Sequence, residues 1–331
     1  MQKTKRKGRV FPLFLVLLFV LFFLYILEEI SPAIYISNLK TQNLHKLTSP
    51  FIKKDIVFGV LADNHKNSLI SREDLKNLKR KNLIVFLDKD TPVYFEGKFN
   101  DKHIFILKDI KCKSFFSIKK QKEGFLSKIR NLKFLLFYNI DKKTAFYYKY
   151  KNIEKYTIFS QFDPVKDICF VGKNEAFIEE KFVKDNQKFT YPDINYQINL
   201  IKNIIYTKKD HDLFYKKKSI YLNAINNGHS YVYFYKDPNI NFIVKTKDKV
   251  YTFGSLIKID KNPIIYFSVN PRYITAVYIN GKLKNYYKGS FSIIPKSAGY
   301  YQFVVFDYKY NFLNLFFSFD IAAITNPVFF E

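Results

Sequence analysis

Hydrophobic and polar positions fall into three textures along the chain. Residues 10–27, VFPLFLVLLFVLFFLYIL, are one uncharged apolar run, just long enough to cross a bilayer as a helix. From about 34 to 228, short apolar runs (DIVFGVL, NLIVFL, HIFILK, FLLFYNI, DICFVG) alternate with polar, Lys-rich stretches of helical character, among them SREDLKNLKRK and YPDINYQINLIKNIIY. Apolar runs spaced by helices predict an α/β architecture around a buried, largely parallel sheet. From about 229 onward the runs SYVYFYKD, NFIVKTKD, KVYTFGSLIKI, PIIYFSV, TAVYINGKLKNYY, GSFSII and YYQFVVFDY follow one another through turns, which predicts a small all-β sandwich. Asn280-Gly281 is the sequence of a two-residue hairpin turn. At the junction, SIYLNAINNG predicts a helix that Gly228 stops.

The flanks of the first run give it a direction. Lys3, Lys5, Arg6, Lys7 and Arg9 precede it, and Glu28 and Glu29 follow it. The excess of basic residues predicts a single-pass membrane anchor over residues 1–30, with the N-terminus cytoplasmic and the remainder extracytoplasmic. The alternative is a cleaved signal peptide with small residues at 31–33, for which the apolar run is long. In an oxidising compartment Cys112 and Cys169 could pair, although nothing in the sequence shows that they meet.

Charge changes the picture less than its size suggests. The 55 Lys+Arg against 29 Asp+Glu give +26, which on its own points to nucleic acid or an anionic surface. The lysines are scattered along the whole length, in a chain rich in Ile, Asn, Phe and Tyr without Trp, so a solvated basic surface is the simpler account and nucleic acid an unlikely partner. The aromatic residues follow strand alternation and read as core and sheet surface. There is no glycine-rich phosphate loop and no nucleophile elbow. Cys112 has basic neighbours but no nearby His in sequence, so it reads as structural.

One stretch invites a chemical reading. IVFGVLADNHKNSL (56–69) runs an apolar strand into Asp63, Asn64 and His65. The end of a buried strand is where many hydrolases keep metal ligands, and also where Asp and Asn side chains make turns with their own backbone.

The segment SIYLNAINNGHSYVYFYKDPNINFIVKTKDKVYTFGSLIKI, with GSFSIIPKSAGYYQFVVF and AAITNPVFF after it, resembles the polymerase and histidinol phosphatase (PHP) family, in which a helix ending ALRxGRSYV leads into a C-terminal β domain. The resemblance covers about the last 110 residues. It implies, after the transmembrane helix read from the apolar run, a distorted PHP-like β/α barrel over 31–228 and a β-sandwich over 229–331. It also implies a site where His and carboxylates at strand ends hold two or three divalent metals for phosphoester hydrolysis.

The metal motifs carry over only in part. VLADNHKN resembles ITDHN, which places Asp63 at the family's Asp and Asn64 where its His belongs, with His65 one residue late. NLIVFLDKDTP resembles the segment holding a metal-bridging Glu and sets Asp88 there; DKHIFIL resembles GHYLAL and keeps His103. Tyr35 and Ser37 stand at the opening HxH, and in DICFVGKNEAF Asn174 and Ala176 replace a further Asp and His.

A dinuclear site needs roughly six protein ligands and an open position for water; Asp63, Asp88 and His103 do not supply that, though they could hold one metal weakly. His229 and His211 read as surface or interdomain residues. The expected function is therefore binding by a protein that has lost catalysis, with no cofactor. The alternatives are a metal-dependent phosphoesterase with a reduced site using Mn, Zn or Fe, and a polyanion- or cell-envelope-binding protein.

Overall fold

The computed structural model describes residues 10–30, 32–42, 44, 49–58, 60–62, 84–88, 97–99, 102–107, 110–116, 163, 164, 166, 167, 169–176, 179–184, 187–191, 201–208 and 214–331. Within them the architecture is built on one large sheet. Its path runs β2 (Leu39–Thr41), β19 (Lys282–Lys288), β18 (Ile274–Ile279), β21 (Gly299–Asp307), β24 (Asp320–Thr325), β13 (Ser230–Phe234), β12 (Ile201–Thr207), β3 (Ile52–Phe58), β5 (Ile84–Asp88), β7 (Lys102–Leu107) and β6 (Gly97–Phe99). β25 (Val328–Phe330) adds to β21, and β16 (Leu256–Ile257) adds to β25.

A second, four-stranded sheet lies in the order β15 (Val250–Tyr251), β14 (Asn241–Lys245), β17 (Ile264–Ser268), β20 (Phe291–Ile293). A third has the order β1 (Ala33–Tyr35), β23 (Leu315–Phe317), β22 (Tyr310–Phe312), and a fourth β4 (Val60–Ala62), β9 (Phe170–Ala176), β8 (Lys113–Phe116). β10 (Glu179–Lys184) and β11 (Gln187–Tyr191) form a separate hairpin.

The period-2 alternation of the large sheet divides its residues between two cores. On one face Ile204, Tyr231, Phe303 and Val305 meet Phe242, Phe267 and Phe291 of the four-stranded sheet. The aromatic rings there are close, with Phe242 and Phe253 stacked at 3.9 Å and Phe267 and Phe291 at 5.1 Å between centroids. On the other face Ile201, Val232, Val304 and Ile324 meet Phe170 of β9 and Phe316 and Phe319 around β23. Strands buried on both faces explain why their sequences read as unbroken apolar runs.

Several local expectations hold. The helix α2 (Phe214–Asn226) ends as the sequence indicates: Gly228 takes φ +67, its N–H donates to the Ile225 carbonyl at 2.8 Å, and the His229 N–H donates to Ala224 at 2.8 Å. That pair of bonds is the Schellman stop, which needs a left-handed residue at Gly228. Asn280 and Gly281 lie at φ 49 and 74 and join β18 to β19, as a two-residue turn with both central residues left-handed requires. Cys112 and Cys169 form a disulfide, buried with Val171, Ile205, Tyr221 and Ile225 under α2.

The barrel is not what forms. Among the described residues there are two α-helices, α1 (Val10–Ile30) and α2, and parallel pairing is confined to β3–β5–β7, β4–β9–β8 and the short β2–β19 and β16–β25 contacts. The decisive element is Ile201–Thr207. Expected within a helical stretch, it is a fully buried strand, antiparallel to β3 on one edge and to β13 on the other. Three Ile, a Tyr and a Thr in seven residues favour a pleated, two-faced site over a helix surface. Its antiparallel neighbours draw the upstream strands into the sandwich sheet, so the sheet runs on across Gly228 where a β/α barrel would have closed on itself.

The membrane expectation is also corrected. Residues Val10–Ile30 do form a single 21-residue helix, with its side chains described at Pro12, 15–23, Ile26 and Ile30. Among the described residues no helix is long and apolar enough to cross a membrane. The single-pass anchor and the extracytoplasmic placement that followed from it are not retained.

Among the described residues two buried hydroxyls have no hydrogen-bond partner, Thr252 Oγ1 and Thr275 Oγ1. Thr275 is fully buried as the second residue of β18. An unpaired buried hydroxyl costs roughly 1–3 kcal/mol, and valine keeps the β-branched shape without it. Thr275→Val should raise the free energy of urea unfolding by about 1 kcal/mol; a decrease would show that the hydroxyl is paired.

Candidate functional site

The residues matched to metal ligands are dispersed as far as their positions are described. Tyr35 lies on β1 opposite Leu315, 65% exposed, and Ser37 is exposed in the turn that follows. Asp63 and Asn64 lie outside the described residues, as does His65. Asp88 closes β5, whereas His103 sits near the start of β7: the register sets Ile84 beside His103 and Asp88 beside Leu107. Four residues of strand separate the two positions, roughly 13 Å along the sheet. Asn174 pairs with Val60 and Ala176 with Ala62, so β9 and β4 do end together. Among the described residues no group of three or more His, Cys, Asp or Glu could hold a metal ion.

A different set of polar side chains does converge, at the edge of the sandwich core. The registers of β12 with β3 and β13 set Lys53 beside Tyr206, Asp55 beside Ile204, Tyr231 beside Ile204, and Tyr233 beside Lys202. Alternation then places Lys53, Asp55, Tyr206, Tyr231 and Tyr233 on one face. The loop after β13 folds over them. Tyr231 Oη donates to Asp237 Oδ1 at 2.6 Å, and the Asn239 N–H donates to the same oxygen at 2.8 Å. Tyr206 Oη donates to the Ile240 carbonyl at 2.6 Å, and Tyr233 Oη to the Asp55 carboxylate at 3.0 and 3.1 Å. Lys53 Nζ donates to Asn239 Oδ1 at 2.7 Å.

Burial governs the electrostatics here. It pushes the Tyr206 and Tyr231 phenols well above their usual range, and the charge of Asp237 adds to the effect. It pushes the Lys53 ammonium down to about 8, with Asp237 opposing. Desolvation disfavours whichever form carries charge, which is why phenols rise and the amine falls. With a pKa of about 8, Lys53 offers roughly a tenth of its amine in the neutral, nucleophilic form at pH 7. None of these residues stood out in the sequence. The available signal was the pair Lys53 and Asp55, two residues apart at the start of an apolar strand, and the Asp237-Pro238-Asn239 turn.

One edge of the large sheet, at β2 and β19, is basic. Residues 30–54 and 261–306 contain no Asp or Glu, and these two segments meet where β2 pairs with β19. Lys40, Lys282, Lys284 and Lys296 are exposed there, and Leu283 beside them is 43% exposed. Lys40 lies 5.9 Å from the centre of the Tyr287 ring.

No family model, no curated protein and no solved structure matches the chain. The likeness to the PHP family thus rests on the short segments quoted above, while the sheet order overturns the barrel that it implied.

His229 gives this region a pH dependence. Half-buried after the Schellman turn, it is held below its usual pKa by burial first and by Lys208 second. The unfolded chain then binds the proton more readily than the folded one, so stability falls as pH drops below about 6.5 toward the folded value. The urea midpoint should be lower at pH 5 than at pH 7, and His229→Gln should remove part of that fall. An unchanged fall in the variant would place the acid sensitivity elsewhere.

Proposed function

We propose that this chain acts by binding rather than by catalysis, and that its ligand is a polyanion engaged at the β2–β19 edge. The observation that carries the reading is the meeting of two acid-free, lysine-bearing segments at one sheet edge. Elsewhere lysines stand near carboxylates, as Lys113 does with Asp167 at 3.0 Å. At this edge neither segment supplies a carboxylate; Asp163, from elsewhere in the chain, acts on Tyr300 beside the Asn280-Gly281 turn, and the excess of lysines over that one acid attracts a chain of negative groups. Lys282 and Lys284 lie close together near the start of β19, with Lys284 at the bulge where Val277 pairs with Asn285 and Tyr278 with Leu283, so one extended polyanion can engage both. Exposed side chains of this kind contribute to binding with little effect on folding, because their charges are solvated in the free protein.

Fluorescently labelled inorganic polyphosphate should bind the full chain at low ionic strength and dissociate as salt rises, because screening removes the attraction. Reversing Lys282 and Lys284 together to Glu should weaken binding by about tenfold or more. Reversing Lys258 and Lys261 together to Glu, a change of equal charge beyond β16 and roughly 19 Å away across four strand spacings, should weaken it by less than about twofold. Absence of binding at low salt, or equal losses at the two places, would overturn the proposal.

A further inference from the structure

Lys53 and Asn239 are brought together from positions 186 residues apart in sequence, with the lysine amine on the amide oxygen at 2.7 Å. We propose that these two side chains form an intramolecular isopeptide bond, with Asp237 relaying the proton. This is independent of the polyanion reading and concerns a different end of the sheet.

Three features of the site favour the reaction. First, both partners are held. Lys53 stands on β3, which is paired to β12 over five residues. Asn239 is fixed at φ +57 by the bond from its N–H to Asp237 Oδ1, across the buried Pro238, and the next residue is held through its carbonyl by Tyr206 Oη. Holding reactants in contact replaces a bimolecular encounter by an intramolecular one, with effective concentrations far above any attainable in solution. Second, the amine is partly withdrawn from water beside Tyr206, its buried partner across β3 and β12, which favours its neutral, nucleophilic form. Third, a carboxyl group is at hand. Asp237 accepts the hydrogen bond from Tyr231 Oη and interacts electrostatically with Lys53.

The step balances without any added reagent. Neutral Lys53 Nζ attacks Asn239 Cγ, forming the Nζ–Cγ bond. The tetrahedral intermediate passes a proton from Nζ through the Asp237 carboxyl to Nδ2. The Cγ–Nδ2 bond breaks and ammonia leaves. The product is a secondary amide, and neither oxidant nor reductant is consumed. The bond would tie β3 covalently to the loop between β13 and β14, closing the end of the sandwich that the Cys112–Cys169 disulfide does not reach.

Intact mass measurement of the purified full chain, after reduction of its disulfide, tests this directly. The expected mass is that of the sequence less one ammonia, and a tryptic digest should yield a branched species joining the peptides that carry Lys53 and Asn239. Lys53→Met and Asn239→Ala should both restore the full sequence mass. Asn239→Asp should give the same product mass as the unaltered chain, because water leaves in place of ammonia. Asp237→Asn keeps the acceptor for the Asn239 N–H, so it should leave the loop in place yet slow the reaction and recover uncross-linked chain. Full sequence mass with linear peptides would overturn the proposal, as would loss of ammonia traced to a succinimide at Asn239 with Lys53 free. Cross-linking of Asp237→Asn at an undiminished rate would remove Asp237 from the mechanism.

Discussion

Phe170 and Gly172 of β9 present their backbone N–H and C=O groups to the same edge of the strand, and two buried asparagine side chains pair with all four. The Phe170 N–H donates to Asn326 Oδ1 at 2.8 Å, and Asn326 Nδ2 donates back to the Phe170 carbonyl at 3.1 Å. The Gly172 N–H donates to Asn203 Oδ1 at 2.8 Å, and Asn203 Nδ2 donates to the Gly172 carbonyl at 2.8 Å. A carboxamide carries a donor and an acceptor side by side, so it pairs with one residue of a strand as a neighbouring strand would. Asn203 and Asn326 are 2% and 0% exposed. Without them β9 would bury polar backbone against an apolar sheet, at roughly 1–3 kcal/mol for each unpaired group.

This clasp lets a strand cross the face of another sheet, and neighbouring features depend on it. Gly172 has to be glycine, since a Cβ there would meet Ile201 Cγ2 at 2.1 Å and Val232 Cγ1 at 2.8 Å. Two residues beyond it the same edge of β9 passes to β4 at Asn174, so the asparagines and β4 share one line of partners. On the other edge the Lys113 N–H donates to the Cys169 carbonyl at 3.0 Å, where β8 begins and the disulfide sits. Asn326 also donates to Ser230 Oγ at 2.8 Å, which ties the clasp to the first residue of β13. The device recurs at the far edge: Gln42 Oε1 accepts the Ser292 N–H at 2.9 Å and its amide nitrogen reaches the Ser292 carbonyl at 3.5 Å, joining the β2 end to the four-stranded sheet.

Much of the C-terminal region was legible in the sequence because its signals are local. Gly228 and Asn280-Gly281 declare their left-handed turns by residue type alone, and every apolar run named beyond residue 229 contributes at least one strand. The upstream region misled for a nonlocal reason. Buried runs such as NLIVFL read the same in a barrel and in a mixed sheet, and only the partner of Ile201–Thr207 distinguishes them. The site failed to appear in sequence on similar grounds. Asp88 and His103 share a sheet but lie four residues apart in register, a separation that spacing along the chain does not reveal. Lys53 and Asn239 meet only because β3 and the β13–β14 loop flank the same strand. Asn174, noted as a lost ligand, belongs to the very strand that Asn203 and Asn326 hold, and those two asparagines carry no motif at all.

The chain that results is a layered β protein, clasped in its middle by side-chain amides, basic at one edge and carrying a lysine–asparagine contact between β3 and the β13–β14 loop. Its cross-link presupposes that β12 keeps its place beneath β9, since β12 positions Tyr206 and anchors β3. Amide hydrogen exchange at Phe170 and Gly172 tests that arrangement most directly. Paired with buried carboxamides, these two hydrogens should exchange only on global unfolding, as slowly as those of β12, and Asn203→Leu should release Gly172 selectively. Exchange as fast as at a solvent-exposed strand edge in the unaltered protein would show that the clasp does not hold β9, and the account of the fold built on it would fail.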